Sequence, residues 1–131
     1  MNTPAFPPEL FIPGKVICKK NGLAELAGIV KDFGPHGIIV HGSSFKKSGG
    51  TAGVLKDLSP TGLRPDFFCR GKGEAVLEEI TAVIDLGRKI KADWIAGIGG
   101  GSVLDLAKAA AGLFNAPQKP VYYQEGGALK E

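Results

Sequence analysis

The chain has 131 residues, enough for one ordinary domain and too few for two of full size. Hydrophobic residues make up 44% and charged residues 22%, an ordinary globular mix that argues against disorder. A formal net charge of +3 with both signs interspersed is too mild to imply nucleic acid or an anionic membrane as a partner.

Glycine is the outlier, with 20 residues where an average share of about 7% would give roughly 9. The glycines follow no three-residue period, which excludes collagen, and apolar runs between them exclude a flexible linker. No apolar stretch approaches the about 20 residues that a membrane-spanning helix needs. The N-terminus has neither a basic n-region nor an apolar h-region, so a cytoplasmic location is expected. Cys18 and Cys69 lie far apart within apolar runs and are expected as buried, reduced thiols. Two cysteines and two histidines without close spacing make no zinc site.

In chain order, residues 1–14 contain Pro4, Pro7, Pro8 and Pro13 and predict an extended arm. Lys15–Lys19 has strand character. Asn21 caps a predicted helix in which Leu23, Leu26, Ala27, Val30 and Phe33 recur at helical spacing, and Gly34-Pro35 ends it. Gly37-Ile38-Ile39-Val40 reads as a strand buried on both faces. His41 to Gly49 reads as a loop, followed by a weaker helix over Thr51–Leu58.

Asp66–Cys69 predicts a third strand. Glu74–Lys91 predicts an amphipathic helix, and Ala92–Ile98 a further buried strand. Gly99-Gly100-Gly101 is a turn, and Ser102 opens a helix that runs to Phe114 and stops near Asn115 and Pro117. This alternation implies an α/β class, a Rossmann-like layered domain with a mostly parallel sheet flanked by helices. Ligands in such sheets bind at the carboxyl edge.

Two glycine-bearing junctions fall on that edge. At Gly99-Gly100-Gly101-Ser102, missing Cβ atoms beside a helix N-terminus would let a phosphate reach bare amides. A plain tight turn is the competing reading. The fit to G-x-G-x-x-G is imperfect, because serine stands at position 102, and no G-K-[ST] phosphate loop follows. Ser102 and Asp105 suit either a capping-box variant or a place at the site edge. Lys108 reads as a solvated lysine.

The second junction holds Gly42, Ser43, Ser44, Lys46 and Lys47, with no acidic residue between Asp32 and Asp57. It suits either a polar surface loop or a site for an additional phosphate. His41 reads as a packed or solvent-facing histidine, with a catalytic role as the rival.

Gly99 to Lys108 matches G-G-G-S-x-x-D-x-A-K and resembles the signature of the iron-containing (group III) alcohol dehydrogenases, in the dehydroquinate synthase-like superfamily. Ala92-Asp93-Trp94-Ile95 is similar to the family's strand entry, and the resemblance extends from about Lys15 to Asn115. It implies an N-terminal nucleotide-binding domain over 15–116, with 117–131 as a connecting segment. Gly99, Gly100, Gly101 and Ser102 would then face the cofactor pyrophosphate, with Asp105 near the nicotinamide end and Lys108 supporting the motif.

Gly42, Ser43, Ser44, Lys46 and Lys47 resemble the G-x-S-x-K-K-x-G variant of NADP-preferring members, so NADP is favoured over NAD. The family's T-T-x-G-T-G-S-E stretch and its helical domain, with one aspartate and three histidine metal ligands, have no counterpart in the sequence. A catalytic Fe²⁺ or Zn²⁺ is thus expected only in a complete enzyme. The chain reads as a truncated domain without alcohol oxidation of its own. Arg70-Gly71-Lys72-Gly73-Glu74 replaces the family's E-P-N-P-like turn. Expected partners are the dinucleotide and, within the family, a homo-oligomer. Rival readings are a stand-alone nucleotide-binding or interaction domain, or part of an enzyme like dehydroquinate synthase or glycerol dehydrogenase.

Overall fold

The computed structural model describes residues 22–73, 77–120 and 122. Among these, three parallel strands form one sheet: β1 (His36–His41), β2 (Arg64–Cys69) and β3 (Trp94–Ile98). Their order, β2-β1-β3, puts β1 in the middle. Five α-helices accompany them: α1 (Leu26–Val30), α2 (Ser43–Lys47), α3 (Gly50–Leu58), α4 (Leu77–Ile90) and α5 (Gly101–Leu113).

The unbroken apolar run of β1 explains its central place. Successive side chains point to opposite faces, so a strand covered on both sides is apolar throughout. Ile38 and Val40 pack with Val83 and Ile84 of α4 and Val103 and Leu106 of α5. Ile39 packs on the other face with Val30, Val54, Leu58 and Trp94. The sheet therefore lies between an α4/α5 layer and an α1/α3 layer.

This sandwich positions the site. β1 and β3 are neighbours, with His41 opposite Ile98 at their carboxyl ends. After β1 the chain enters the α1/α3 side, where Phe45 of α2 packs. After β3 it enters α5 on the opposite side. Two adjacent strands whose continuations diverge to opposite faces make a topological switch point, the place at the carboxyl edge where ligands of such sheets bind.

Several elements differ from the sequence expectation. The first helix begins as a 3-10 turn, Gly22–Glu25, and its α-helical part is only Leu26–Val30. Gly22 and Gly28 weaken the helix from within. Leu23 and Phe33, expected on its inner face, are 45% and 66% exposed. β2 starts two residues earlier than expected, at Arg64, and accommodates Pro65 because it is an edge strand of the described sheet. β3 starts at Trp94, just after Asp93, whose N–H donates to His36 O at 2.7 Å and whose side chain accepts the His36 N–H at 3.1 Å.

Cys69 is exposed and free, against the expected buried thiol, because it ends that edge strand. The expected Pro-rich arm, the Lys15–Lys19 strand and Cys18 lie outside the described residues, as does most of 117–131 beyond Tyr122.

Candidate functional site at the carboxyl edge

The glycine turn joins the last residue of β3, Ile98, to α5. Gly99 has φ +154°, and a Cβ there would stand 2.9 Å from Val103 Cγ2. Gly97 is also fixed by packing, since its Cβ would stand 2.8 Å from Ala107 Cβ. Both glycines let α5 sit close on the sheet. Gly100 and Gly101 differ: a Cβ at either meets nothing within 4 Å. Their backbone is extended or helical at negative φ, so the turn does not require glycine at either position.

Gly100 is the N-cap of α5 and makes no side-chain cap hydrogen bond. Its carbonyl accepts the Leu104 N–H at 3.1 Å. The amides of the first turn, from Gly101 to Val103, therefore have no intrahelical acceptor. They form the positive end of a 13-residue helix.

The capping-box reading of Ser102 and Asp105 does not hold. Ser102 is the second residue of α5 rather than its cap, and its Oγ accepts from Arg70 Nη1 at 3.1 Å. Asp105 and Lys108 are both exposed.

The second junction is not the loop that the sequence suggests. Gly42 caps a short helix, and Ser43, Ser44, Lys46 and Lys47 lie within α2. No proline interrupts this run, and Ser48 Oγ donates to Phe45 O at 2.9 Å to close it. Gly49, at φ +82°, supplies the left-handed stop. Phe45 anchors the helix inward, 5.7 Å from the His41 ring. Ser43, Ser44, Lys46 and Lys47 are exposed. The two junctions meet, because a Cβ on Gly42 would lie 3.7 Å from Val103 Cγ2 in the first turn of α5.

His41 is 2% exposed, with Nδ1 3.0 Å from Gly42 O and its ring packed on Phe45 and Phe67. It belongs to the core beneath the site, as the packed reading expects. The residue that sequence reasoning passed over is Arg70, noted there only as part of a departure from the family turn. It follows β2, is 6% exposed and reaches Ser102 across 32 positions of sequence. A basic residue at the carboxyl end of a strand was the available signal. Nothing local shows which distant hydroxyl it meets.

The parallel order, the two helix layers and the glycine turn define a Rossmann-like α/β domain. The iron-containing alcohol dehydrogenase family model matches residues 13–130, and the chain belongs to that family. No match is found among curated proteins.

Solved structures with the same fold include sulfoacetaldehyde reductase from Bifidobacterium kashiwanohense in complex with NAD+, 25% identical over 86% of this chain with a TM-score of 0.73. YqhD of E. coli K-12 is 30% identical over 82%, with a TM-score of 0.68. An iron-containing alcohol dehydrogenase from Thermotoga maritima matches over 92% with a TM-score of 0.74, and at 24% identity it speaks for the fold alone. The chain spans 30%, 28% and 35% of those three structures.

Among the described residues, no group of three or more His, Cys, Asp or Glu side chains could hold a metal ion. The described residues thus do not fit the iron that the family name implies. No described helix is long and apolar enough to cross a membrane.

Proposed function

We propose that residues 15–116 are the NAD(P)-binding domain of a metal-dependent alcohol dehydrogenase, with 1–14 as an arm and 117–131 as the connection onward. One observation carries this reading. Gly100 and Gly101 have space around them that packing does not need, at the uncapped head of α5. A phosphate can approach those amides, which lie at the crevice between β1 and β3. Gly99, Gly100, Gly101 and Ser102 would hold the diphosphate, with Asp105 at the nicotinamide side.

Gly42, Ser43, Ser44, Lys46 and Lys47 would face the adenosine ribose. Two exposed lysines and no carboxylate favour a 2′-phosphate, hence NADP. The dinucleotide, when bound, supplies the hydride acceptor or donor. The role proposed for this chain is to bind and orient it, with alcohol turnover and Fe²⁺ or Zn²⁺ belonging to a complete enzyme.

Calorimetric titration of the 131-residue chain with NADP+ and NAD+ tests the reading. Saturable binding of at least one, weakened by Ser102→Ala, is expected. No binding of either would remove it.

A further inference from the structure

We propose that Arg70 is a positioning residue for the anion subsite at the head of α5, acting through Ser102. The proposal rests on the cofactor reading above and adds to it a buried cation from outside the 99–108 signature. The Arg70 N–H donates to His41 O at 2.7 Å, which fixes the residue at the carboxyl edge beside the central strand. Nη1 donates to Gly71 O at 3.0 Å and to Ser102 Oγ at 3.1 Å. Nε lies 4.0 Å from Glu79 Oε1, beyond hydrogen-bond reach, and among the described residues Nε and Nη2 have no hydrogen-bond partner. Glu79 Oε2 is likewise buried and unpaired.

A buried ion pair kept for stability should satisfy its donors, because stranded polar groups cost free energy. This pair leaves three atoms unsatisfied, so its geometry is poor for stability alone. What the guanidinium does achieve is control of Ser102. Arginine has only donors, so Ser102 Oγ must be the acceptor in their contact. The hydroxyl proton is then directed away from Arg70 and is available to an oxyanion.

The positive charge is also held where water screens it little, next to the uncapped amides of α5. Donor amides, a donor hydroxyl and an underlying cation together suit a diphosphate. Arg70 itself need not touch the ligand.

Calorimetry on the full chain tests this with inorganic pyrophosphate, ADP and adenosine, and thermal melts run alongside. Arg70→Met should weaken pyrophosphate and ADP about tenfold or more and leave adenosine within about twofold. Arg70→Lys should recover part of the loss. Once Met occupies position 70, adding Ser102→Ala should cost little more, since that hydroxyl has lost its orientation. Glu79→Gln removes the offsetting carboxylate and should tighten pyrophosphate; it carries the test if Arg70→Met fails to fold.

Equal losses for adenosine and ADP, fully additive effects of positions 70 and 102, or unchanged affinity in Arg70→Met (in Glu79→Gln where Arg70→Met does not fold) would overturn the proposal. If the wild-type chain binds neither dinucleotide, the cofactor reading fails. The pyrophosphate arm then decides on Arg70 alone: Arg70-dependent binding upholds it, and no such binding removes it.

Discussion

Consecutive glycines in the turn after β3 have different physical reasons to be glycine. Gly99 is required by its φ of +154° and by Val103 at 2.9 Å from a would-be Cβ. Gly99→Ala should therefore destabilise the fold by about 1–3 kcal/mol, read by denaturant unfolding. Gly101 opens α5 with free space around it. Gly101→Ala should leave stability unchanged or raise it by up to about 1 kcal/mol, while weakening NADP in calorimetry. A loss of stability at both positions, with binding intact at 101, would return the turn to a purely structural role.

The exposed lysines of α2 permit a similar separation. Replacing Lys46 and Lys47 together by alanine should weaken NADP about tenfold or more and NAD little, since only NADP carries the 2′-phosphate. Equal losses for both would remove the 2′-phosphate role of those lysines. These contrasts were only half legible in sequence. The glycine run pointed to the turn, but φ and Cβ clearance separate its members, and both depend on where Val103 comes to rest.

Among the elements, legibility followed the strength of the local pattern. β1 reads clearly because it is apolar at every position and is covered on both faces. α4 reads clearly because its apolar positions recur at helical spacing over Leu77–Ile90. α2 does not read as a helix, because five residues between Gly42 and Ser48 carry too little periodicity. Its inward anchor, Phe45, finds its ring partner in His41, which no spacing rule singles out.

The first helix fails for a related reason. Its spacing suggested an inner face for Phe33, yet the helix stops at Val30 and Phe33 lies beyond it. Inside α4, Gly87 looks like a weakness that alanine would repair by about 1 kcal/mol. The packing reverses that sign, because a Cβ at Gly87 would collide with the Phe114 ring and stand 3.2 Å from Ile38 Cδ1. Gly87→Ala should destabilise the chain by about 1–3 kcal/mol in chemical denaturation. A stabilising result would mean that Phe114 swings aside freely.

For the described domain as a whole, the decisive feature is that the two junctions leave adjacent strands toward opposite layers. α5 is anchored to the Ile38/Val40 face, and the segment after β1 to the Ile39 face. A dinucleotide bound across the carboxyl edge would add a further bridge between elements that already meet at the sheet and at the Gly42–Val103 approach. Ligand that binds only the folded chain stabilises it by mass action, about 2.7 kcal/mol at a hundred times Kd. For a domain of this size that corresponds to a rise in Tm of roughly 10 °C.

Melts at such an excess of NADP should show that rise, in one transition that includes both layers. ADP at its own hundredfold excess should raise Tm by a similar amount, because the shift depends on [L]/Kd and not on which contacts produce Kd. At equal millimolar concentration the two should diverge in the order of their affinities. A shift confined to part of the transition would mean that the ligand grips one layer alone. The crevice between β1 and β3 would then not be the binding site, even if the chain binds nucleotide.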